Sequence, residues 1–150
     1  MLMEELLSKL NEFQKLLIER VNLEHELVEL PKSLITQEEI LTRTKKNYQD
    51  KKAIFEQLTK KVNALRQELD ETIIKIEKLE KNMDLISNPR EFELLNKEIT
   101  DATMKENQLR KELKAEEQKY GEAESEVQTI ESLIQRQEEE IQQKKQKIAN

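Results

Sequence analysis

The stretch Met83-Asp84-Leu85-Ile86-Ser87-Asn88-Pro89-Arg90-Glu91-Phe92 decides how this chain folds. The residue before a proline is pushed out of helical geometry, so a helix arriving from the N-terminal side stops near Ser87. Asn88 is a good N-cap, Pro89 suits the first helical position, and Glu91 stands where a capping-box acid belongs. Stop and start signals therefore coincide within a few residues, at a turn near 87–90. So short a connection folds a second helix back, antiparallel, onto the first. The competing arrangement, one long helix kinked at Pro89, leaves this cap chemistry unused.

Two long seams flank the turn. Upstream, steps of seven from Leu34 reach Leu41, Tyr48, Phe55, Val62, Leu69, Ile76 and Met83, all apolar or aromatic. The companion row three residues later holds Gln37, Thr44, Lys51, Leu58, Leu65, Thr72, Leu79 and Ile86. Downstream, the row from Phe92 passes through Ile99, Glu106, Leu113, Tyr120, Val127, Ile134, Ile141 and Ile148. Its companions are Leu95, Ala102, Leu109, Glu116, Ala123, Ile130, Gln137 and Lys144. A seven-residue repeat sustained this long predicts a left-handed coiled coil. The expected fold is all-α: a long antiparallel two-helix coiled-coil hairpin over 31–150.

A turn centred near Pro89 sets the register. Ile86 faces Phe92, Met83 faces Leu95, Leu69 faces Leu109, Leu65 faces Leu113, Leu58 faces Tyr120, Phe55 faces Ala123 and Tyr48 faces Ile130. On the flanks Lys45 and Lys52 are expected near Glu131 and Glu124. The same register sets Arg66 near Arg110 and Lys61 near Lys119, at a cost of only fractions of a kcal/mol if exposed. The polar seam residues Lys51, Thr72, Glu106, Glu116 and Gln137 read as register-setting interruptions, or as loosened points where a partner helix inserts.

Residues 1–30 do not fit the hairpin. The rows continue upstream as Leu27, Arg20, Phe13, Leu6 and as Leu30, Leu23, Leu16, Lys9, Leu2, running straight through Pro31. Proline within a helix costs about 3 kcal/mol, so a bend or break is expected near Leu30, giving a proline-kinked N-terminal helical extension. In the register above, this segment has no partner before the second arm ends. Leu6, Phe13, Leu16, Leu23, Leu27 and Leu30 are therefore the candidate partner-binding residues. Three covers are open: chain continuing beyond Asn150, a second copy, or a fold-back of the segment onto the hairpin base.

Composition narrows the function. Of 150 residues, 39% are charged and 3% aromatic, with one Gly and two Pro, so the elements must be few and long. The net charge of −6, with both signs interspersed, argues for a solvated helix surface and against nucleic acid. No apolar run exceeds three residues, as in Leu16-Leu17-Ile18, so no transmembrane span is expected, and a cytoplasmic location is the default. Without cysteine there is no disulfide or thiolate metal site, and Gly121 alone makes no phosphate loop. His25 between Glu24 and Glu26, and the run Glu138-Glu139-Glu140, read as ordinary helix surface. Lys144-Lys145-Gln146-Lys147 is a weak basic cluster. No enzyme activity and no cofactor are expected of this chain.

The hinge Asn88, Pro89, Arg90, Glu91, Phe92, followed by Leu95, Glu98 and Ile99, resembles that of the bacterial C4-type zinc-ribbon coiled-coil proteins. Phe13-Gln14-Lys15-Leu16 and Leu30-Pro31 are also similar. The resemblance implies a cytosolic adaptor binding the sigma factor sigma-54 and flagellar or type III secretion export proteins. It also implies zinc in a C-terminal ribbon, which is absent here. Read from the residues alone, the chain is a protein–protein interaction module. The other readings are a structural spacer or arm of a larger assembly, and a nucleic-acid-binding regulator acting through a missing zinc ribbon.

Overall fold

The turn is built from Asn88. Its side-chain oxygen accepts the Arg90 amide at 3.0 Å, and its carbonyl accepts the Phe92 amide at 3.0 Å. One orphan amide of the new helix is thus satisfied by a side chain, as an N-cap requires. The preceding helix ends earlier than Ser87. Beyond Met83 the backbone tightens, the Leu85 amide donating to Asn82 and the Ile86 amide to Met83, both three residues back. This lets Ile86 tuck in half-buried while Leu85 stays 85% exposed. No described residue has a positive φ, so a turn without glycine is no obstacle.

The computed structural model describes residues 2–150. Two helices make up the fold: α1, Leu2–Met83, and α2, Pro89–Ala149, folded into an antiparallel hairpin. The chain divides into two compact units, one of residues through Asn47 with Ile130–Asn150, the other Tyr48–Thr129.

In the Tyr48–Thr129 unit the buried side chains are Val62, Leu69, Thr72 and Leu79 on α1, and Ala102, Leu109, Glu116 and Val127 on α2. All belong to the four seven-step rows. Phe55, Leu58, Leu65, Ile76, Met83, Leu95, Ile99, Leu113 and Tyr120 are half-buried, as befits a core only two helices thick. The Phe55 ring stacks on Tyr120, centroids 5.0 Å apart, where Ala123 had been expected. Both lie in adjacent layers, and the larger ring takes the contact. Phe92, expected to face Ile86 in the core, is 48% exposed.

Both expected like-charge clashes are resolved by carboxylates. Arg66 turns to Glu117 at 3.0 Å while Arg110 folds back on Glu106 at 2.8 Å. Lys61 and Lys119 converge on Glu116, at 3.1 and 3.4 Å. Lys52 lies over the Tyr48 ring at 5.7 Å, in place of the expected Glu124. Lys51 reaches Glu126 and Lys105 reaches Glu68. Exposed pairs like these add little stability each, but they favour one register over its neighbours.

In the other unit, Ile141 is buried, and Leu34, Leu41, Ile134, Ile130, Gln37, Thr44, Gln137 and Lys144 are half-buried. Lys45 pairs with Glu138 rather than Glu131, and Lys145 with Glu38. The side-chain oxygens of Gln37 and Gln137 are buried without a hydrogen-bond partner, which weakens this part of the seam.

Of the bend or break expected near Leu30, the break does not occur: α1 is helical on both sides of Pro31. Proline removes the donor that would serve the Leu27 carbonyl. The helix continues past that missing hydrogen bond, with Leu27 itself 70% exposed. The fold-back reading is likewise corrected, because α1 carries the N-terminal segment on as one helix and residues 2–29 are exposed.

Candidate functional site

Leu6, Phe13, Leu16, Leu23 and Leu27 are each about 60–70% exposed, and Leu30 is half-buried where α2 ends. They continue the two α1 rows that further along pack against α2. Leu10 and Leu17, one position on from the second row, widen the stripe. An apolar face this broad is rarely left open on a charged helix. It begins at a pocket of about 270 Å³ lined by Leu23, Glu26, Leu27, Leu30, Pro31, Lys147, Ile148 and Asn150. The last turn of α2 forms one wall of that pocket, and the open α1 face runs away from it.

Arg20 interrupts the stripe, its guanidinium held by Glu24 at 3.1 Å. Lys9 is the second polar interruption. One feature of the face escaped the reading of the sequence. Glu5, Glu12, Glu19 and Glu26 recur at steps of seven along one border of the stripe, all exposed. The signal was present in the same periodicity, but a search along apolar rows alone passes over it. Further along the same row stand Ser33, bonded to Lys144, Lys61, paired with Glu116 at 3.1 Å, and Glu68, paired with Lys105 at 3.4 Å.

Elsewhere the polar seam residues are engaged. Thr72 donates to the Glu68 carbonyl at 2.8 Å, which satisfies its buried hydroxyl. The hydrogen bond from Lys61, more than the charge of Lys119, holds the Glu116 carboxyl below its ordinary value despite burial. Lys144 and Lys145 of the basic cluster bind Ser33 and Glu38. His25 is exposed on a helix surface. Among the described residues no group of histidine, cysteine, aspartate or glutamate is arranged to hold a metal ion, and no helix is long and apolar enough to cross a membrane. The hinge residues Asn88, Pro89 and Arg90 are exposed, with Asn88 committed to the cap.

No family model, no curated protein and no solved structure matches the chain. The zinc-ribbon, sigma-54 and type III secretion associations implied by the hinge are corrected accordingly. Nothing among known proteins supports them, and a zinc ribbon conflicts with a chain that has no cysteine.

Proposed function

We propose that the chain is a non-catalytic structural arm, attached to a larger assembly by helix packing on the open α1 face. The observation that carries this reading is the exposed stripe through Leu6, Phe13, Leu16, Leu23 and Leu27, which continues the hairpin's own seam without a helix opposite. The hairpin is held by its four rows and its flanking ion pairs, so the open face can be covered without disturbing them. Covering half-exposed leucines is worth about 1 kcal/mol each. Six or seven of them only roughly offset the cost of bringing two molecules together. A long, continuous face is therefore needed, and this one is long.

The test is pull-down from the native host with the whole chain and with Leu16→Glu, Leu23→Glu and Leu27→Glu. A specific protein held by the parent chain and released by all three substitutions supports the arm. Retention of the same protein by all three would place its attachment elsewhere.

A further inference from the structure

The border of the open face narrows the choice of occupant, on the premise that the face is a docking surface. Within the hairpin, charged members of the row containing Ser33, Lys61 and Glu68 meet the opposite charge on α2: Lys105 against Glu68 and Glu116 against Lys61. Upstream, the same row reads Glu5, Glu12, Glu19 and Glu26, four carboxylates and no cation. A helix laid over Leu6, Phe13, Leu16, Leu23 and Leu27 must run its flank along these four charges. In a two-stranded coil that flank faces the equivalent row of an antiparallel partner, or the row on the other side of the seam in a parallel one.

A second copy fails in both arrangements. Antiparallel, it sets the glutamate row against itself. Parallel, it offers Leu10, Leu17 and Glu24. Neither supplies a positive charge. We infer that the face takes an amphipathic helix of another protein, apolar on one side and carrying lysine or arginine at seven-residue intervals along one flank. The pocket between Leu23, Leu27, Leu30 and Ile148 receives the end of that helix which lies nearest α2. Opposite Arg20 and Lys9 the partner carries polar or acidic residues.

The probe is a synthetic helix of about four heptads with leucine on the two facing rows and lysine at the four positions opposite the glutamates. A second peptide has glutamate at those four positions, and a third has serine in place of the leucines. Binding to the whole chain is read by fluorescence anisotropy at 50 mM and 1 M salt. Opposite rather than like charges at four flanking positions amount to at least a tenfold preference for the lysine peptide at low salt, by about the usual strength of such pairs. The preference shrinks at high salt, and Glu5→Lys/Glu12→Lys/Glu19→Lys/Glu26→Lys reverses it. The serine peptide does not bind. Equal binding of the lysine and glutamate peptides overturns the basic-flank inference and leaves the docking face standing. Binding of none of the three overturns both. A chain that sediments as a dimer, and becomes a monomer with Leu16→Glu, makes a second copy the occupant and overturns the inference.

Discussion

Removing one leucine from the layer formed by Leu69 and Leu109 measures how much a two-helix core is worth. The two are 7% and 5% exposed, and the flanking pairs Glu68–Lys105 and Arg66–Glu117 straddle the register that sets them opposite each other. Leu→Ala in a closed core costs about 2–5 kcal/mol, a transfer term plus a cavity term. Here the space left behind opens sideways to solvent between only two helices, so it fills or collapses and the cavity term is small. Leu69→Ala and Leu109→Ala should each cost about 2–3 kcal/mol. With a urea dependence of about 1.5 kcal/mol per M, either moves the unfolding midpoint down by about 1.5 M. The assay is urea unfolding followed by circular dichroism at 222 nm. Ile54→Ala, at a residue 51% exposed, is the control and should cost well under 1 kcal/mol. The double variant should lose less than the two singles together, because each truncation empties space the other borders. Single losses under about 1 kcal/mol, or strict additivity, would refute the layer and with it the register.

Four other outcomes are expected. Asn88→Ala removes the side-chain acceptor for the Arg90 amide and should cost about 1 kcal/mol in the same unfolding assay, with Asn88→Asp close to the parent. Gln137→Leu replaces a buried oxygen without a partner by apolar surface and should raise stability by about 1 kcal/mol or more. Pro31→Ala restores the donor to the Leu27 carbonyl, and amide exchange around this turn should slow by an amount worth up to about 3 kcal/mol, with little change in global unfolding. The carboxyl of Glu116 titrates lower in the folded chain than its ordinary 4.5, so its contribution is complete above that pH and is lost as pH falls through the depressed folded value. Acid titration should therefore destabilise the parent more steeply than Glu116→Gln below about pH 4.5, and equal slopes would contradict the Lys61–Glu116 contact.

The hairpin was legible in the residues because its signals are local and repeated. Asn88-Pro89 carries cap and stop chemistry within two positions, and the rows through Val62, Leu69, Leu109 and Val127 repeat a spacing that only a helix seam satisfies. The buried residues then fall on those rows, because burial in a two-helix coil follows the seam and nothing else competes for it. The open apolar face was legible only in part. Its leucines stand out by hydrophobicity, whereas the glutamates along its border acquire meaning only from what the same row meets on α2.

By itself, then, the sequence determined the helices, their turning point, the seam and the absence of thiolate chemistry, since each depends on residue type and spacing along one chain. Tertiary structure alone decided three further matters. The helix survives Pro31, where the residue that loses its hydrogen bond, Leu27, is exposed. Arg66 and Arg110, and Lys61 and Lys119, avoid repulsion because long side chains swing to carboxylates a turn away. The N-terminal segment stays open, where the register alone had left a fold-back possible, because α1 carries it on as one helix. Each of these turns on which group lies across the gap and whether water reaches it, and spacing along one chain does not encode that.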